Sequence, residues 1–494
     1  MVNKNGSKSG DHITVIIENH VENHPMCIHG PTLLFKKTFD NGPEPIEFYA
    51  CSAFRNPKEC PILTDEHVAL NRAHLHAQSK SILGLAEIAK ESPKKRAYCH
   101  TCSCLFTTSE KKTHQHHDFL NGISDELLSQ PTRFLRPLSR DTKEAQYFFA
   151  DSTLQCIVNI FKQLDISKVI CIGAPRLYEY LKVNYESIQI KSIVLDIDSR
   201  LKIFFDKNEY FEYNMLNDYY FDGPEKRAAF EEFMKEANDS KTCLFTDPPF
   251  ACRTEPLSHT LKTIAHNYKK VNSIYHVLPI FWVFPYFMEN YIQNVMPEMS
   301  MVDYMVNYTN HKSYHDGSTG RKDGSPIRIF TNIPLNLVQL PASEGYSYCK
   351  RCAKFTFKEN THCRKCDVCP SKNGGKYVHC ELCAVCVKSY YKHCNKCDRC
   401  TQVANHDCDV YQRNIKCWIC LTKGHNEVNC SHWAKFGAKM SKIKAKSLKI
   451  SRKICLLCNK TGHNERNCTK RSLLLKETKF LGEVCNIFTN KSGK

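Results

Sequence analysis

Short apolar runs, separated by segments of helix length, fill the middle of the chain from residue 130 to 340. Six of them predict β-strands, at 167–173, 192–198, 242–250, 273–287, 300–308 and 327–340, the last two with partial period-two alternation. Strands that alternate with helices form parallel sheets covered by crossover helices, so this region predicts an α/β domain with a mostly parallel sheet. Ligands of such sheets bind at the carboxyl ends of the strands, where we expect Gly173, Asp196, Asp198 and Asp247 along one edge.

The strongest apolar run, 274–288, is short, aromatic and interrupted by Pro279 and Pro285. It predicts a buried strand with its flanks rather than a membrane span. Residues 1–11 are polar and lack an apolar core segment, so we expect no signal peptide.

The chain contains 29 cysteines, most of them in C-x2-C pairs with histidines nearby. This spacing is typical of metal ligands in a reducing compartment and not of a disulfide framework. The chain has a formal net charge of +18, which is unevenly distributed. From residue 341 to the end, 31 Lys and Arg stand against 11 Asp and Glu, whereas the preceding residues carry 38 against 40. A basic tail without an amphipathic or lipidation signal favours nucleic acid over a membrane as its partner.

The most informative short motif is Asp247-Pro248-Pro249-Phe250, at the end of a predicted strand. The N6 nitrogen of adenine is a poor nucleophile because its lone pair is delocalised into the ring. A carboxylate and a proline carbonyl can accept its N–H bonds, and they bind more strongly as the nitrogen gains positive charge. The prolines stiffen the loop, and Phe250 offers a face on which an extruded base can stack. The motif therefore predicts amino-group methylation.

Two ligand sets precede the α/β region. Cys27, His29, Cys51 and Cys60, within 20–70, resemble a GRF-type finger, which binds single-stranded nucleic acid. Cys99 and Cys102 with His114 and His117, within 95–120, form a two-Cys, two-His set. His116 could replace either histidine, but His114 and His117 stand one helical turn apart, and Cys104 is then spare.

A third ligand-rich region, 346–410, contains an internal repeat of His-Cys-x2-Cys-x2-Cys that resembles the cysteine-rich domain of DHHC acyltransferases. Those enzymes require transmembrane helices around the domain, and the sequence shows none. The region offers 16 candidate ligands, enough for four structural zinc sites, with neighbouring repeats sharing ions and no partners assigned. They are Cys349, Cys352, His362, Cys363, Cys366, Cys369, His379, Cys380, Cys383, Cys386, His393, Cys394, Cys397, Cys400, His406 and Cys408.

Two CCHC zinc knuckles complete the ligand sets, at 415–432 and 453–470. Their ligands are Cys417, Cys420, His425 and Cys430 in the first and Cys455, Cys458, His463 and Cys468 in the second. Knuckles bind unpaired bases, and the linker 431–454 carries eight Lys and Arg and no acid, as suits a phosphate track. At four ligands per ion, all the sets together predict about eight zinc ions.

The strand-end motifs resemble those of Rossmann-like amino methyltransferases, in which a [DN]PP[FYW] motif follows the fourth strand. The resemblance implies that 172–177 forms the first S-adenosylmethionine loop, that Asp196, with Asp198 close by, grips the cofactor ribose, and that Asn214 and Met215 meet the adenine. The loop consists of Ile172, Gly173, Ala174, Pro175, Arg176 and Leu177, with a single glycine where the superfamily commonly has three.

The order of fingers, strand-end motifs, Cys/His repeats and knuckle resembles the zinc finger CCHC domain-containing protein 4 family of ribosomal RNA N6-adenosine methyltransferases, over residues 20–430. That family also carries IGxPRL at this loop; the second knuckle is a departure from its pattern. The resemblance implies methylation of one adenosine in large-subunit ribosomal RNA, and a location in the nucleolus or nucleus, with the cytoplasm as an alternative. It leaves protein partners unknown.

Three alternatives remain from the sequence. One is a non-catalytic RNA-binding protein with a degenerate methyltransferase core, against which the intact Asp247 and Asp196 argue. The others are an amino methyltransferase that acts on another RNA, or one that acts on DNA or protein. The predicted organisation is a Rossmann-like methyltransferase domain flanked by several small zinc-binding modules.

Overall fold

The structure is a computed structural model that describes most of the chain up to residue 414. The described residues are 11–18, 21–39, 44–53, 58–63, 84–137, 146–236, 240–272, 277–310, 324–397, 399–402, 406–414 and 424–425. Apart from His425, the predicted ligands of both knuckles lie outside these residues.

A small antiparallel unit forms the start of the described chain. Its strands are β1 (Asp11–Ile16), β2 (Met26–Cys27), β3 (Gly30–Pro31), β4 (Leu33–Phe39) and β5 (Ile46–Ala50). Strand β4 pairs with both β1 and β5, and β2 pairs with β3 in a two-residue ladder. The apolar core of the unit is only Leu33, Phe35 and Ala50 with a few half-buried neighbours. So small a core leaves much of the unit's order to other contacts.

The second unit joins the core of the central domain. It comprises α1 (Leu85–Ile88), β6 (Arg96–Cys99), β7 (Cys104–Thr107), β8 (Phe119–Asn121) and α2 (Asp125–Ser129). Tyr98 lies edge-on to Phe134 and near Phe204, with ring centroids 5.4 and 5.9 Å away. Buried Arg96 satisfies the carbonyls of Ala89 and Glu91. The second unit, which carries the two-Cys, two-His ligand set, is therefore packed as part of the central domain.

An eight-stranded mixed sheet organises the central domain. Its strands are β9 (Lys168–Ile172), β10 (Lys191–Asp196), β11 (Tyr210–Asn214), β12 (Tyr219–Tyr220), β13 (Thr242–Thr246), β14 (Ile280–Pro285), β15 (Ser300–Val302) and β16 (Ile327–Thr331). Their order is β12-β11-β10-β9-β13-β14-β16-β15. The five central strands are parallel, and β12, β15 and β16 pair antiparallel. This confirms the predicted mostly parallel sheet.

The chain reverses its direction of travel across the sheet between β9 and β13. Strands β10 and β11 extend to one side of β9, and β13 and β14 then extend to the other. A crevice opens beyond the carboxyl ends of two strands where successive connections leave in opposite directions. Gly173 follows β9 and Asp247 follows β13, so both lie at this switch point.

Helices cover both faces of the sheet. They are α3 (Asp151–Gln163), α4 (Pro175–Val183), α5 (Tyr185–Ile188), α6 (Pro224–Met234), α7 (Thr254–Asn272) and α8 (Glu289–Val295). Alternate residues of β9 divide between two apolar clusters, with Val169 and Cys171 beside α3 and α4 and Ile170 and Ile172 beside α6 and α7. A strand buried on both faces has no polar alternation, which is why the sequence shows continuous apolar runs.

The structure shortens several predicted strands and adds two, β11 and the two-residue β12, that the apolar runs did not reveal. Strand β14 occupies 280–285 of the predicted 273–287, of which 273–276 lie outside the described residues, and β15 occupies only 300–302 of 300–308. Strand β11 was missed because its sequence, YFEYN, contains the buried polar residues Glu212 and Asn214. In the part of the chain that the structure describes, no helix has the length and apolar character that a membrane span requires.

The last described unit is a row of three β-hairpins followed by a helix. Its elements are β17 (Tyr346–Cys349), β18 (Lys354–Phe357), β19 (Tyr377–Cys380), β20 (Val385–Lys388), β21 (Tyr391–Cys394), β22 (Arg399–Gln402) and α9 (Cys408–Asn414). The unit is anchored through Asp303, which accepts bonds from the Phe357 backbone and the Asn360 side chain, and through Tyr346, whose hydroxyl accepts from Met305 N–H. It is thus fixed to the segment that follows β15.

Candidate active site and metal clusters

The ends of β9 and β13 meet at close range. The Asp247 N–H donates to the Ile172 carbonyl over 3.1 Å, and the Gly173 N–H donates to the Leu195 carbonyl over 2.9 Å. Gly173 has φ +63°, and a Cβ there would lie 3.0 Å from the Asp247 carbonyl oxygen and 2.5 Å from Met215 Cε. Only glycine combines this backbone conformation with this approach, so one glycine suffices to bring the two loops together.

A cleft that is open to solvent lies above these strand ends. Seven predicted site residues line it, namely Gly173, Asp196, Asn214, Met215, Asp247, Pro248 and Pro249. The sequence analysis missed its other lining residues, which are His29, Ala53, Gln146, Tyr147, Ile197, Tyr213 and Leu216. The structure therefore brings together the predicted carboxylates, the glycine and the proline loop at one edge.

The remaining residues of the predicted cofactor loop do not line the cleft. Ile172, Ala174 and Leu177 are buried, and Pro175 begins α4. Buried Arg176 pairs with Asp151 over 3.0 Å and also lies near Glu179. These residues fix the turn from β9 into α4, and any contact with the cofactor stays a prediction.

Asp196 and Asp198 have different surroundings. Asp198 is held by Arg200, whose Nη2 and Nε lie 2.6 and 2.8 Å from its two carboxylate oxygens. Asp196 faces the cleft, and its Oδ1 accepts the Asp198 N–H over 2.9 Å. Burial, and then the negative charge of Asp198, raise the pKa of Asp196 to about 7. Asp196 is thus the acid available to ligand hydroxyls, and Asp198 supports the loop.

Asp247 is enclosed among aromatic rings. Tyr308 donates to its Oδ1 over 3.0 Å. Removal of water by the surrounding protein raises the pKa of Asp247 well above its usual value, and the hydrogen bond from Tyr308 opposes that shift. A carboxyl group held in a fixed orientation presents its oxygens as acceptors for the N–H bonds of a ligand.

The rings beside Asp247 form a small stack. Tyr147 and Phe250 lie nearly parallel with centroids 5.7 Å apart, and Tyr308 lies between Tyr147 and Phe149 at 5.6 and 5.2 Å. Such faces accept planar apolar ligands. The only sequence feature that marked Tyr308 was its position at the end of the predicted strand 300–308. Its hydrogen-bond partner Asp247 is 61 residues away in the chain.

The cleft fits the S-adenosylmethionine that the sequence resemblance implies. A side chain at residue 173 would fill the space beside Met215, so the glycine keeps a cradle open. Asp196 places a carboxyl where ribose hydroxyls could donate, and Met215 and Leu216 supply apolar walls for an adenine. The lining is mainly apolar with few polar groups, as is usual in sites for small organic ligands.

The two N-terminal ligand sets come together as predicted. The side-chain ligand atoms of Cys27, His29, Cys51 and Cys60 lie within 4.8 Å of one another, as do those of the second set. In the second set, Cys102 Sγ is 3.2 Å from His117 Nδ1 and 3.7 Å from His114 Nδ1. His116 contacts Gln115 instead, which agrees with the preferred histidine pair.

The ligands of 346–410 interleave between neighbouring repeats. Each group takes a C-x2-C pair from one repeat and a histidine and a cysteine from the chain beyond. Three groups are Cys349, Cys352, His362 and Cys369; Cys363, Cys366, His379 and Cys386; and Cys380, Cys383, His393 and Cys400. In a fourth, Cys394 and Cys397 approach Cys408 and His406, with 3.6 Å between Cys394 Sγ and Cys408 Sγ. The sharing expected from the sequence therefore links consecutive hairpins.

The C-x2-C turns share one backbone geometry. The residue after the second cysteine has a left-handed φ at Ser103, Ala353, Asp367 and Ala384. The turn directs backbone N–H groups toward the cysteine sulfur atoms. For example, the Cys383 N–H donates to Cys380 Sγ over 3.4 Å. At Cys394, the backbone bond from Cys397 is the largest of the effects that lower the thiol pKa to about 6. Cys3His and Cys2His2 sets with ligand atoms at these separations fit tetrahedral zinc.

Comparisons with known proteins agree with this geometry. A family model described as a probable N6-adenine methyltransferase matches residues 140–333. The chain is 39% identical over 429 residues to the rRNA N(6)-adenosine-methyltransferase ZCCHC4 of Homo sapiens, which is 83% of each chain. It is 37% identical over 468 residues to the protein of that name in Xenopus tropicalis, covering 91% of this chain and 95% of that one.

Proposed function

The chain belongs to the family of rRNA N(6)-adenosine-methyltransferases, and on that premise we propose which reaction its cleft carries out. The proposed reaction is methylation, dependent on S-adenosylmethionine, of the N6 amino group of a single adenosine in large-subunit (28S) ribosomal RNA. By completing the modification of that RNA, the protein would support ribosome function and translation. The observation that carries the proposal is the position of Asp247 and Pro248 on the same cleft as Gly173 and Asp196.

The residues of the proline loop would act on the target amino group. The Asp247 carboxylate and the Pro248 carbonyl accept N–H bonds, which strengthen as the nitrogen becomes positively charged in the transition state. Tyr308 holds the carboxylate in one orientation. Phe250 and Tyr147 supply ring faces against which the adenine can stack once it leaves the RNA helix.

Asp196, Met215 and Leu216 would hold the cofactor, which supplies an electrophilic methyl group when it is bound. The Asp196 carboxylate accepts from the ribose hydroxyls. Met215 and Leu216 exclude water from the adenine. Gly173 keeps the space between the two loops clear, so that the amino group and the methyl donor can approach each other.

The metal clusters and the basic tail would hold the RNA. We propose about eight zinc ions, of which six would occupy the described clusters and two the knuckles, at four ligands per ion. The excess positive charge after residue 341 would attract phosphates. Because ribosomal RNA is assembled into ribosomes there, we propose the nucleolus or nucleus as the site of action.

Mapping of N6-methyladenosine in ribosomal RNA, with and without the protein, tests the proposal. We expect one large-subunit position to lose its methyl group in cells that lack the protein and to regain it with wild-type protein but not with Asp247→Ala. Transfer of tritiated methyl groups to purified RNA, DNA and protein should show RNA as the acceptor. An unchanged ribosomal RNA would overturn the proposed substrate, and absence of transfer to any acceptor would favour a non-catalytic RNA-binding protein.

A further inference from the structure

The first ligand set lies at the wall of the proposed cofactor cleft. His29, one of its four ligands, lines the cleft, and so does Ala53, two residues after the ligand Cys51. Gly173 and Asp247 of the central domain line the same cleft. The cleft is therefore built by two units of the chain, and one of them carries the cluster.

The wall is joined to the central sheet through two asparagines. Asn214 Nδ2, at the end of β11, donates to the His29 carbonyl over 2.7 Å and to Ser52 Oγ over 3.1 Å. Asn217 Nδ2 donates to the Pro31 carbonyl over 2.7 Å. Both asparagines are buried. Buried hydrogen bonds donated by side-chain amides fix the two backbones relative to each other.

Close packing adds to this contact between the His29 loop and the central domain, which we call the seam. Gly30 has φ +94°, and a Cβ there would lie 2.7 Å from Tyr219 Cδ1 on the sheet side. The loop that carries His29 therefore rests directly on β12, the strand that follows β11. Asn214 at the end of β11 and Leu216 in the turn between the two strands also line the cleft. Any movement of the His29 loop is thus transmitted to the cleft.

The position of this wall depends on the cluster. The segments 27–31 and 51–53 contain only the two-residue strands β2 and β3 and the residues that follow β5. Cys27, Cys51 and Cys60 are buried together, and His29 Nδ1 lies 3.3 Å from both Cys51 Sγ and Cys60 Sγ. The separate core of Leu33, Phe35 and Ala50 does not include this loop. Within its own unit, metal ligation is therefore what orders this loop.

We propose that metal binding at the first cluster and cofactor binding in the cleft are thermodynamically coupled. The metal-loaded His29 loop forms one wall of the cofactor site, so loss of that metal lowers cofactor affinity, and bound cofactor raises the affinity for that metal. The coupling rests on the proposed function, since it takes the cleft to be the S-adenosylmethionine site. By linkage the effect has the same size in both directions, about 5- to 150-fold for typical coupled sites.

Calorimetric titration of the full-length, zinc-loaded chain with S-adenosylhomocysteine, the demethylated product, measures the first direction. We expect Cys60→Ser, which removes one ligand, to weaken binding about tenfold or more, within the range usual for coupled sites. The matched control is Cys386→Ser, which removes a ligand from a cluster that does not line the cleft. Asn217→Ala keeps all four ligands of the first cluster and loosens only the seam, so it decides the matter if Cys60→Ser does not fold. We expect Asn217→Ala to weaken binding about three- to tenfold through the lost buried hydrogen bond.

Equilibrium competition with a chromogenic chelator measures the reverse direction. Saturating S-adenosylhomocysteine should raise the chelator concentration needed to remove one zinc equivalent from the wild-type chain and leave the others unchanged. Equal affinity in wild type, Cys60→Ser and Asn217→Ala, or a loss of the same size in Cys386→Ser, would overturn the coupling. Failure of the wild-type chain itself to bind would instead refute the assignment of the cleft as a cofactor site.

Discussion

Replacement of Gly173 by alanine tests whether the close approach between Gly173, after β9, and Asp247, after β13, positions the loop that carries Asp247. Gly173 has φ +63°, so any side chain there pays a left-handed backbone penalty of roughly 1–2 kcal/mol. The new Cβ would also meet Met215 Cε at 2.5 Å and the Asp247 carbonyl oxygen at 3.0 Å. The methionine can swing aside, but only within the cleft, whereas the carbonyl is backbone and must move with Asp247.

Gly122 provides a matched control for the backbone term. It has φ +77° and is exposed, with nothing within 4 Å of a built Cβ. Both variants should lower the melting temperature by a few degrees, since about 1 kcal/mol corresponds to ~2–4 °C in a domain of this size. Only Gly173→Ala should lose catalysis. A displacement of Asp247 by a few tenths of an ångström should reduce the single-turnover rate by about tenfold, given that a 1 Å misplacement costs about a hundredfold.

Single-turnover methyl transfer at saturating RNA and cofactor, with calorimetric cofactor affinity alongside, gives the measurement. The double variant Gly173→Ala with Met215→Ala removes the methionine contact and leaves the carbonyl contact. We expect it to keep the reduced rate of Gly173→Ala, because the carbonyl contact persists, and to bind the cofactor less tightly than the wild type, because Met215 forms part of the apolar wall of the cleft. Wild-type turnover in Gly173→Ala, or an equal loss in Gly122→Ala, would refute the view that the glycine positions Asp247.

Three further predictions address the acids and the tail. Asp247→Ala should lower the rate by about a hundredfold or more while RNA and cofactor binding persist, and near-normal turnover would contradict the assigned motif. The pKa of Asp196 is raised to about 7 and ribose hydroxyls bind its ionised form, so cofactor affinity should fall by up to about tenfold per pH unit as the pH drops below 7. Asp196→Asn should bind the cofactor weakly and show no such pH dependence. Calorimetric titration across pH 6–8 would measure both. Removal of 415–494 should weaken RNA binding and flatten its salt dependence while turnover on a saturating short substrate persists, and an unchanged salt slope would show that this charge does not contact RNA.

Much of the catalytic edge could be predicted from the sequence because its determinants are local. An apolar run followed by a glycine or an acid identifies the end of a buried strand, and parallel strands place their carboxyl ends together. This logic located Gly173, Asp196 and Asp247, all of which line one cleft. It failed at β11, where Glu212 is buried but lies 2.6 Å from Lys202, so that a polar residue occupies a core strand.

The supporting residues could not be predicted because their partners are distant in the chain. Tyr308 reaches Asp247 across 61 residues, and Asn214 reaches His29 across 185. Asn214 was expected to meet the cofactor adenine. It lines the cleft, but its amide also binds the first finger, and that second contact depends on a packing of units that no local pattern encodes.

The Cys/His repeats show a different limit of sequence reasoning. Spacing identified the ligands because a metal site needs specific donors at close range, but three identical repeats left several pairings equivalent. The structure selects pairing between consecutive hairpins, so Cys380 and Cys383 of one hairpin join His393 and Cys400 of the next. That ion would link two hairpins, and each of the other three would join one hairpin to a neighbouring segment, so stability would pass along the row as it does between neighbouring units of a repeat protein.

The row also has a fixed end, and that end connects it to catalysis. Tyr346 and the Phe357 backbone bind the segment 303–305, and the same segment continues to Tyr308, which holds Asp247. Ala150 N–H and Thr153 Oγ1 hold the intervening Asn307 backbone from α3 and its start. The hydroxyl that orients the proposed catalytic carboxylate is therefore held between the helix layer of the central domain and the first hairpin of the metal-binding row. The row thus supports the site from one side, as the first finger does from the other.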